Sequence, residues 1–353
     1  MDYSGMKGHG GNIYDFTRPD DIIDFSSNIN QYGPPKHALE AAADALSLVR
    51  RYPDTNQREV REAFSGWLGR PPGEIVFAGG ASDLFSAIMT ALRPRRVMVI
   101  QPTFADYAIC ARRCDIPVVP VPTSPHDNFA FPMEEIEKNF MDGDLFIACQ
   151  PNNPTGRAWT EAELRSVVGL AQSRGGWLLA DECFLNLTYP KAFSCLPFMG
   201  GVIVVRAITK DFSAPGLRVG FAISDAGTIK KIREALQPWP LNCVGEAFAV
   251  ACASSPEPFL EESAQKIASE RARLVRGLKT LGYRPYNSSV NFILAESRRV
   301  SANELYERLQ AKRLLIRRCA NFPGLDDSFF RIAVRLPEDN DALLCALADM
   351  RPI

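Results

Sequence analysis

From Glu74 to about Phe221 the chain repeats one pattern, a short apolar run followed by a longer stretch with apolar residues at helical spacing. The runs are EIVFA (74–78), RVMVI (96–100), PVVPV (117–121), LFIAC (145–149), WLLA (177–180), VIVV (202–205) and VGFAI (219–223). Each is continuous rather than alternating in polarity, which predicts strands covered on both faces. Between them, ASDLFSAIMTAL (81–92), DYAICARRC (106–114) and TEAELRSVVGLAQSR (160–174) carry apolar side chains three and four positions apart, as helices with one buried face do. Thr160 and Glu163 read as a capping box that opens the last of these helices. The alternation predicts an α/β unit with a mostly parallel seven-stranded sheet.

After about Ala226 the pattern changes. Long helical stretches (227–236, 242–254 and 257–281) precede VNFILA (290–295), a helix opened by Ser301 and Glu304, LLIRR (314–318), FFRIAV (329–334) and a terminal helix. That is a smaller α+β unit. Residues before about Arg50 are irregular and rich in Asn, Gly and Pro, the composition of an arm. The expected division is an N-terminal arm (1–35), a large domain (36–240) and a small C-terminal domain (241–353) packed with the arm.

Composition narrows the function by exclusion. With 353 residues, 46% of them hydrophobic, the chain is long enough for two domains with real cores. A formal net charge of −1 argues against nucleic acid or an anionic membrane as partner. No apolar run is long enough for a signal peptide or a membrane span, so a cytoplasmic protein is expected. The nine cysteines lack metal-ligand spacing, and Cys110 with Cys114 reads as one helix face. The three histidines (His9, His37, His126) are far apart in sequence, so neither a histidine metal site nor a Ser-His-Asp triad is expected. The chemistry must come from other groups.

The segment AITKDFSAPGLRVG (207–220) holds one lysine between two strands. An amine at a strand end can be partly desolvated, which lowers its pKa as imine formation requires. Taken alone, Lys210 would more often be a surface lysine in a loop. Four further segments precede it: GGAS (79–82) before a helix, PTFADY (102–107), PNNPTG (151–156), and DECF (181–184) after a strand. Together and in this order they resemble the fold-type I pyridoxal 5'-phosphate (PLP) enzymes. That resemblance implies an aspartate-aminotransferase-like fold in which Lys210 carries PLP covalently and Asp181 faces the pyridine nitrogen. By the same resemblance Tyr107 stacks on the ring, Asn153 donates to the phenolic oxygen, and Gly80, Ala81, Ser82, Thr209 and Arg218 surround the phosphate. Ala207 departs from relatives that place Ser or Thr there, a loss that Thr209 is expected to offset. Tyr52, in RYPD (51–54), would reach the phosphate of a partner subunit, which implies a homodimer with a shared active site. Arg331 in FFRIAV would take the substrate α-carboxylate.

Within that family the chain resembles the histidinol-phosphate aminotransferase branch, and inside it most of all the L-threonine-O-3-phosphate decarboxylases. HGGN (9–12), DFSSNIN (24–30), Phe184 in place of a tyrosine, and LLIRRCANFPGLDDSFFRIAVR (314–335) carry this likeness. It implies decarboxylation of a phosphorylated amino acid to an aminopropanol phosphate for cobalamin synthesis. Arg317, with His9 and Lys7, would take the substrate phosphate, and Asn30 would help place the carboxylate. Arg318, where relatives often carry an acid, would make the pocket rim more basic. A PLP aminotransferase of the histidinol-phosphate or aromatic type stays as the alternative, and a non-catalytic binding module as a third.

Overall fold

The computed structural model describes residues 10–198, 200–298 and 300–350. A short strand, β1 (Ile23–Asp24), leads to helices α1 (Lys36–Asp44) and α2 (Arg58–Leu68). The arm therefore ends earlier than the irregular composition up to Arg50 suggested. Helix α1 buries Ala38 and Ala42 in the main core, and Ala45 just beyond it is buried as well. An alanine face gives little hydropathy contrast, and Pro34 and Pro35 before it look like loop although proline is an ordinary residue at a helix start.

The large sheet is built from β2 (Ile75–Ala78), β3 (Val97–Gln101), β4 (Val118–Pro122), β5 (Leu145–Cys149), β6 (Trp177–Asp181), β7 (Val202–Ala207) and β8 (Gly220–Ile223). Between them run α3 (Ala81–Leu92), α4 (Asp106–Arg113), α5 (Met133–Asn139), α6 (Glu161–Ser173) and the single turn α7 (Ile208–Asp211). All seven expected strands form it, in the order β2-β8-β7-β6-β5-β3-β4, parallel except for β8, which runs against both neighbours. Successive residues on one strand enter different cores. Leu178 and Ala180 join one apolar cluster while Leu179 joins another, as Phe77 and Val76 do on β2. The unbroken apolar runs follow from this, because both faces of the sheet are covered. The capping box of α6 forms as read, Thr160 accepting from the Glu163 backbone and Glu163 reaching back.

Helices α8 (Ala226–Ala235), α9 (Cys243–Ser254) and α10 (Pro256–Thr280) follow, then β9 (Arg284–Pro285), β10 (Phe292–Glu296), α11 (Ala302–Ala311), β11 (Leu314–Leu315), β12 (Arg317–Arg318), β13 (Phe329–Ala333) and α12 (Pro337–Ala348). An antiparallel sheet, β12-β13-β10-β9, carries the second core. Helix α9 and the start of α10 pack on the first core through Phe248, Ala249 and Leu260, whereas Ile267, Leu274 and Leu278 farther along α10 pack on the second. The N-terminal segment is stitched to the second unit: β1 pairs with β11, and Phe25 lies in the same cluster as Phe330 and Ile332. This arrangement brings residues 26–28, the ends of β5 to β7 and the strands β12 and β13 around one cavity.

Candidate active site

Lys210 lies in α7, directly after β7, and faces the cavity at the C-terminal ends of the parallel strands. Ligands favour that edge of an α/β sheet. Burial first, then the guanidinium groups of Arg331 and Arg218, push the Lys210 amine down to about 8. A lysine so placed is partly neutral near neutral pH and can attack a carbonyl or move a proton.

Asp181 ends β6, level with Cys149 on β5 and Val205 on β7. One carboxylate oxygen accepts the Cys183 backbone N–H at 3.0 Å and the other accepts the Tyr107 hydroxyl at 2.5 Å. Burial raises its pKa, and those two bonds pull the other way. No cation is among these partners, so a positively charged ring nitrogen would meet a carboxylate that the chain itself leaves unneutralised. Tyr107 is fully buried and its phenol, pushed far above its usual range by burial and by Asp181, stays a neutral donor. Its hydroxyl is committed to Asp181 while its ring lines the cavity. Phe104, three residues earlier and before the helix begins, lines the cavity with its ring edge-on to Tyr107, centroids 5.7 Å apart, and is only partly buried.

A corner for a phosphate lies at the start of α3. That helix opens at Gly80 with no side-chain cap, which leaves backbone N–H groups of its first turn, from Ala81 and Ser82, without helical partners. Gly80 has φ +105°, and a Cβ there would sit 2.5 Å from Arg218 Nη2. At Gly220 a Cβ would lie 2.6 Å from the Gly80 carbonyl carbon. The two glycines let the Arg218 guanidinium lie across the helix start. Ala81, Ser82 and Thr209 line this end, and so does Ala207, which brings no hydroxyl. Ser82 donates to Asp106 at 2.7 Å, so a phosphate receives that hydrogen only once the hydroxyl turns. A desolvated amine, an unneutralised buried carboxylate and a cation over an uncapped helix start together fit PLP.

At the opposite end stand two arginines. Arg331, 5% exposed, donates to the Asn153 amide oxygen and to the Ser26 carbonyl at 2.8 Å, over the Phe292 ring. Its buried Nε has no partner, and burial pushes its pKa down to about 10, so it is charged at neutral pH. With its oxygen held by Arg331, Asn153 keeps its amide N–H groups for a ligand. Arg317 faces the cavity, while Arg318 turns to Asn303 and stacks on Tyr306. Successive strand residues point to opposite faces, so Arg318 does not enrich the cavity in positive charge as expected. Among the described residues the cavity wall carries four cations (Lys210, Arg218, Arg317, Arg331) against one carboxylate, Asp181.

Some expected residues lie elsewhere. Asn30 is fully engaged away from the cavity: its Nδ2 donates to the Asp211 carbonyl at 2.9 Å, and its oxygen accepts the Tyr32 N–H. It ties the N-terminal segment to the lysine turn, and the residue that reaches the cavity is Asn28, whose buried Oδ1 has no partner. Both belong to the same motif, and the long-range grip on Asp211 separates them. Tyr52 is 77% exposed and stacks on Trp239, centroids 4.3 Å apart, away from this cavity. Lys7 and His9 lie outside the described residues. Phe184 lines the cavity and packs edge-on against Phe292.

Residues 20–347 match the family described as aminotransferase class I and II. The threonine-phosphate decarboxylase of Salmonella typhimurium is 30% identical over 97% of this chain and 96% of that protein. The adenosylcobalamin biosynthesis bifunctional protein of Leptospira interrogans is 26% identical over 97% of this chain, but over only 41% of its own length. The structure of the histidinol-phosphate aminotransferase of Clostridium acetobutylicum superposes with a TM-score of 0.87 at 30% identity, covering 93% of this chain and 98% of that one.

Proposed function

The chain belongs to the class I and II aminotransferases, PLP enzymes with the aspartate-aminotransferase fold, and from that premise we propose that it decarboxylates an amino acid carrying a phosphate ester, L-threonine-O-3-phosphate or a close analogue. The observation that carries the reading is Arg317. It is a second guanidinium at the end of the cavity away from Arg218, the cross-strand partner of Arg331, and among the described residues it is held by neutral acceptors alone. One arginine suffices for an α-carboxylate; a second cation calls for a second anion.

Bound PLP supplies an electron sink for charge developing at Cα. The chain's residues do the rest. Asp181, steadied by Tyr107 and the Cys183 N–H, holds positive charge on the ring nitrogen. Lys210 would hold the cofactor and, with its amine lowered to about 8, could carry a proton to or from the substrate Cα. The start of α3 with Ser82, Thr209 and Arg218 holds the cofactor phosphate. Arg331 and Asn153 orient the α-carboxylate, while Arg317 and Asn28 fix the far end of the substrate. Which Cα bond is broken depends on how these groups turn the substrate, because cleavage favours the bond perpendicular to the ring.

Transamination is the second reading, favoured by the likeness to the Clostridium enzyme. The test is incubation with O-phospho-threonine. Release of CO₂ and an amino-alcohol phosphate supports the decarboxylase; glutamate formed from 2-oxoglutarate without CO₂ overturns it. The product would suit cobalamin assembly, in keeping with the named relatives. A homodimer is supported by Leu46, Val49 and Tyr52, exposed within one short stretch, with Tyr52 stacked on the half-exposed Trp239. Such a surface is costly to leave in water. All nine cysteines are unpaired, which fits a reducing compartment such as the cytoplasm. Among the described residues no helix is long and apolar enough to cross a membrane.

A further inference from the structure

We infer that Asn321 is a positioning residue that holds the Arg317 guanidinium ready for the substrate's second anion; this rests on the phosphate-ester reading of the cavity. Arg317 Nη2 donates to Asn321 Oδ1 at 2.8 Å, Nη1 donates to the Arg318 carbonyl, and the guanidinium carbon lies 5.1 Å from the centre of the Phe322 ring. Arg331 is gripped by the same three kinds of group: the Asn153 amide oxygen, the Ser26 carbonyl and the Phe292 ring. Two arginines in one cavity thus share one mounting.

The mounting has a chemical logic. A carboxylate would hold a guanidinium just as well, but it would cancel the charge that an incoming anion needs. An amide oxygen, a carbonyl and an aromatic face hold the group and leave its charge intact. Two of five N–H donors are used, and the remainder can meet a phosphate by two parallel bonds. Burial already lowers the Arg317 pKa, which marks a cation short of both water and counter-charge.

Asn321 can do this because its turn is fixed from below. The Cys319 N–H donates to the Phe329 carbonyl, the Phe322 N–H to the Cys319 carbonyl, and the Leu325 N–H to the Phe322 carbonyl. Phe322 and Leu325 are buried in a cluster with Tyr286, Leu294 and Phe329. The exposed amide at 321 is therefore presented from a rigid base at the cavity wall.

The test uses the PLP-loaded enzyme with O-phospho-threonine as substrate and inorganic phosphate as competing ligand. Asn321→Ala should raise both KM for the phosphorylated substrate and the phosphate inhibition constant about tenfold, with a smaller change in kcat. Asn321→Asp, which adds a negative charge beside Arg317, should raise both by about a hundredfold, while KM for unphosphorylated threonine moves little in either variant. Arg317→Ala separates the function of the cavity from the role of Asn321. If it leaves phosphate inhibition unchanged, the phosphate-ester reading of the cavity is wrong. If it weakens inhibition while both Asn321 variants behave as wild type, that reading stands and Asn321 is not a positioning residue.

Discussion

At one end of the cavity, Lys210, Asp181 and the phosphate corner hang from the ends of neighbouring strands of a sheet buried on both faces. At the other, Arg317, Asn28 and Arg331 come from the N-terminal segment and the small sheet, nearly the full length of the chain apart. The first end is set by strand register, and its polar groups are shifted mainly by burial. The second is set by hydrogen bonds between segments, such as Arg331 to the Ser26 carbonyl. A scaffold shared by many chemistries keeps the first end rigid and changes substrates at the second. Damage at the first should therefore abolish turnover, and damage at the second should be graded and depend on the ligand.

The largest effect is expected at Lys210. Lys210→Ala should cut turnover by at least about a thousandfold and remove the visible absorbance of covalently held cofactor. The apoprotein should stay folded, because alanine replaces a desolvated amine with nothing that needs a partner. Substantial turnover by this variant would break the comparison at its root. Next comes Arg331→Ala, with kcat/KM falling about a hundredfold or more, since the change strands the Ser26 carbonyl and the Asn153 oxygen as well as removing a cation. Unlike Arg317→Ala, it should weaken phosphorylated and unphosphorylated substrates alike. Equal ligand dependence in the two arginine variants would erase the distinction between the α-carboxylate and the distal anion.

The two ends also differ in how far the sequence discloses them. Asp181 could be placed because it follows an apolar run whose length sets the strand end, and Lys210 because it interrupts two such runs. The order of motifs did the remainder. Inside PTFADY, however, nothing local tells that the Tyr107 hydroxyl is taken by the Asp181 carboxylate while Phe104 also lines the cavity; that pairing is reached only through the fold. At the far end, Asn28 and Asn30 share a motif, and the choice is made by the Asp211 carbonyl far along the chain. Arg317 and Arg318 were separable in principle, since pairing of β12 with β13 imposes alternation, yet two residues are too few to display a period. Helix α1 was lost because alanines bury well and contrast poorly.

A smaller effect is expected from Tyr107→Phe, which keeps the buried ring and removes only the hydroxyl bonded to Asp181. A hydrogen bond to the charged form lowers a carboxylate's pKa, so its loss should raise that of Asp181 further. Turnover should fall about tenfold, and the acid limb of the pH–rate profile should move to higher pH. Loss of activity without that movement would mean that Tyr107 serves packing alone, and that the polar precision assigned to the cofactor end is overstated.

The smallest effect tests the price of that end's rigidity. Asp211, next to Lys210 in sequence, is 3% exposed; one carboxylate oxygen accepts from Asn186 at 2.7 Å and the other is buried with no partner. Asn186 follows the Asp181 turn, so this bond links the two turns that carry the lysine and the aspartate. Burial, opposed by Asn186, Arg206 and Lys191, raises the Asp211 pKa from 3.8 to about 7. The sign follows from linkage. Below pH 3.8 both states are protonated and nothing is lost. Between there and about 7 the unfolded chain gives up its proton while the folded chain keeps it, so stability falls as pH rises, and above that window the loss is constant. Asp211→Asn keeps the acceptor for Asn186 and cannot ionise. Its melting temperature should match wild type near pH 4, then exceed it by a margin that grows to a few degrees by pH 7 and stays level beyond. Thermal unfolding across that range reads the margin directly. Parallel curves would show that the folded protein holds an ionised Asp211 without penalty, and that the lysine turn is less tightly enclosed than its hydrogen bonds imply.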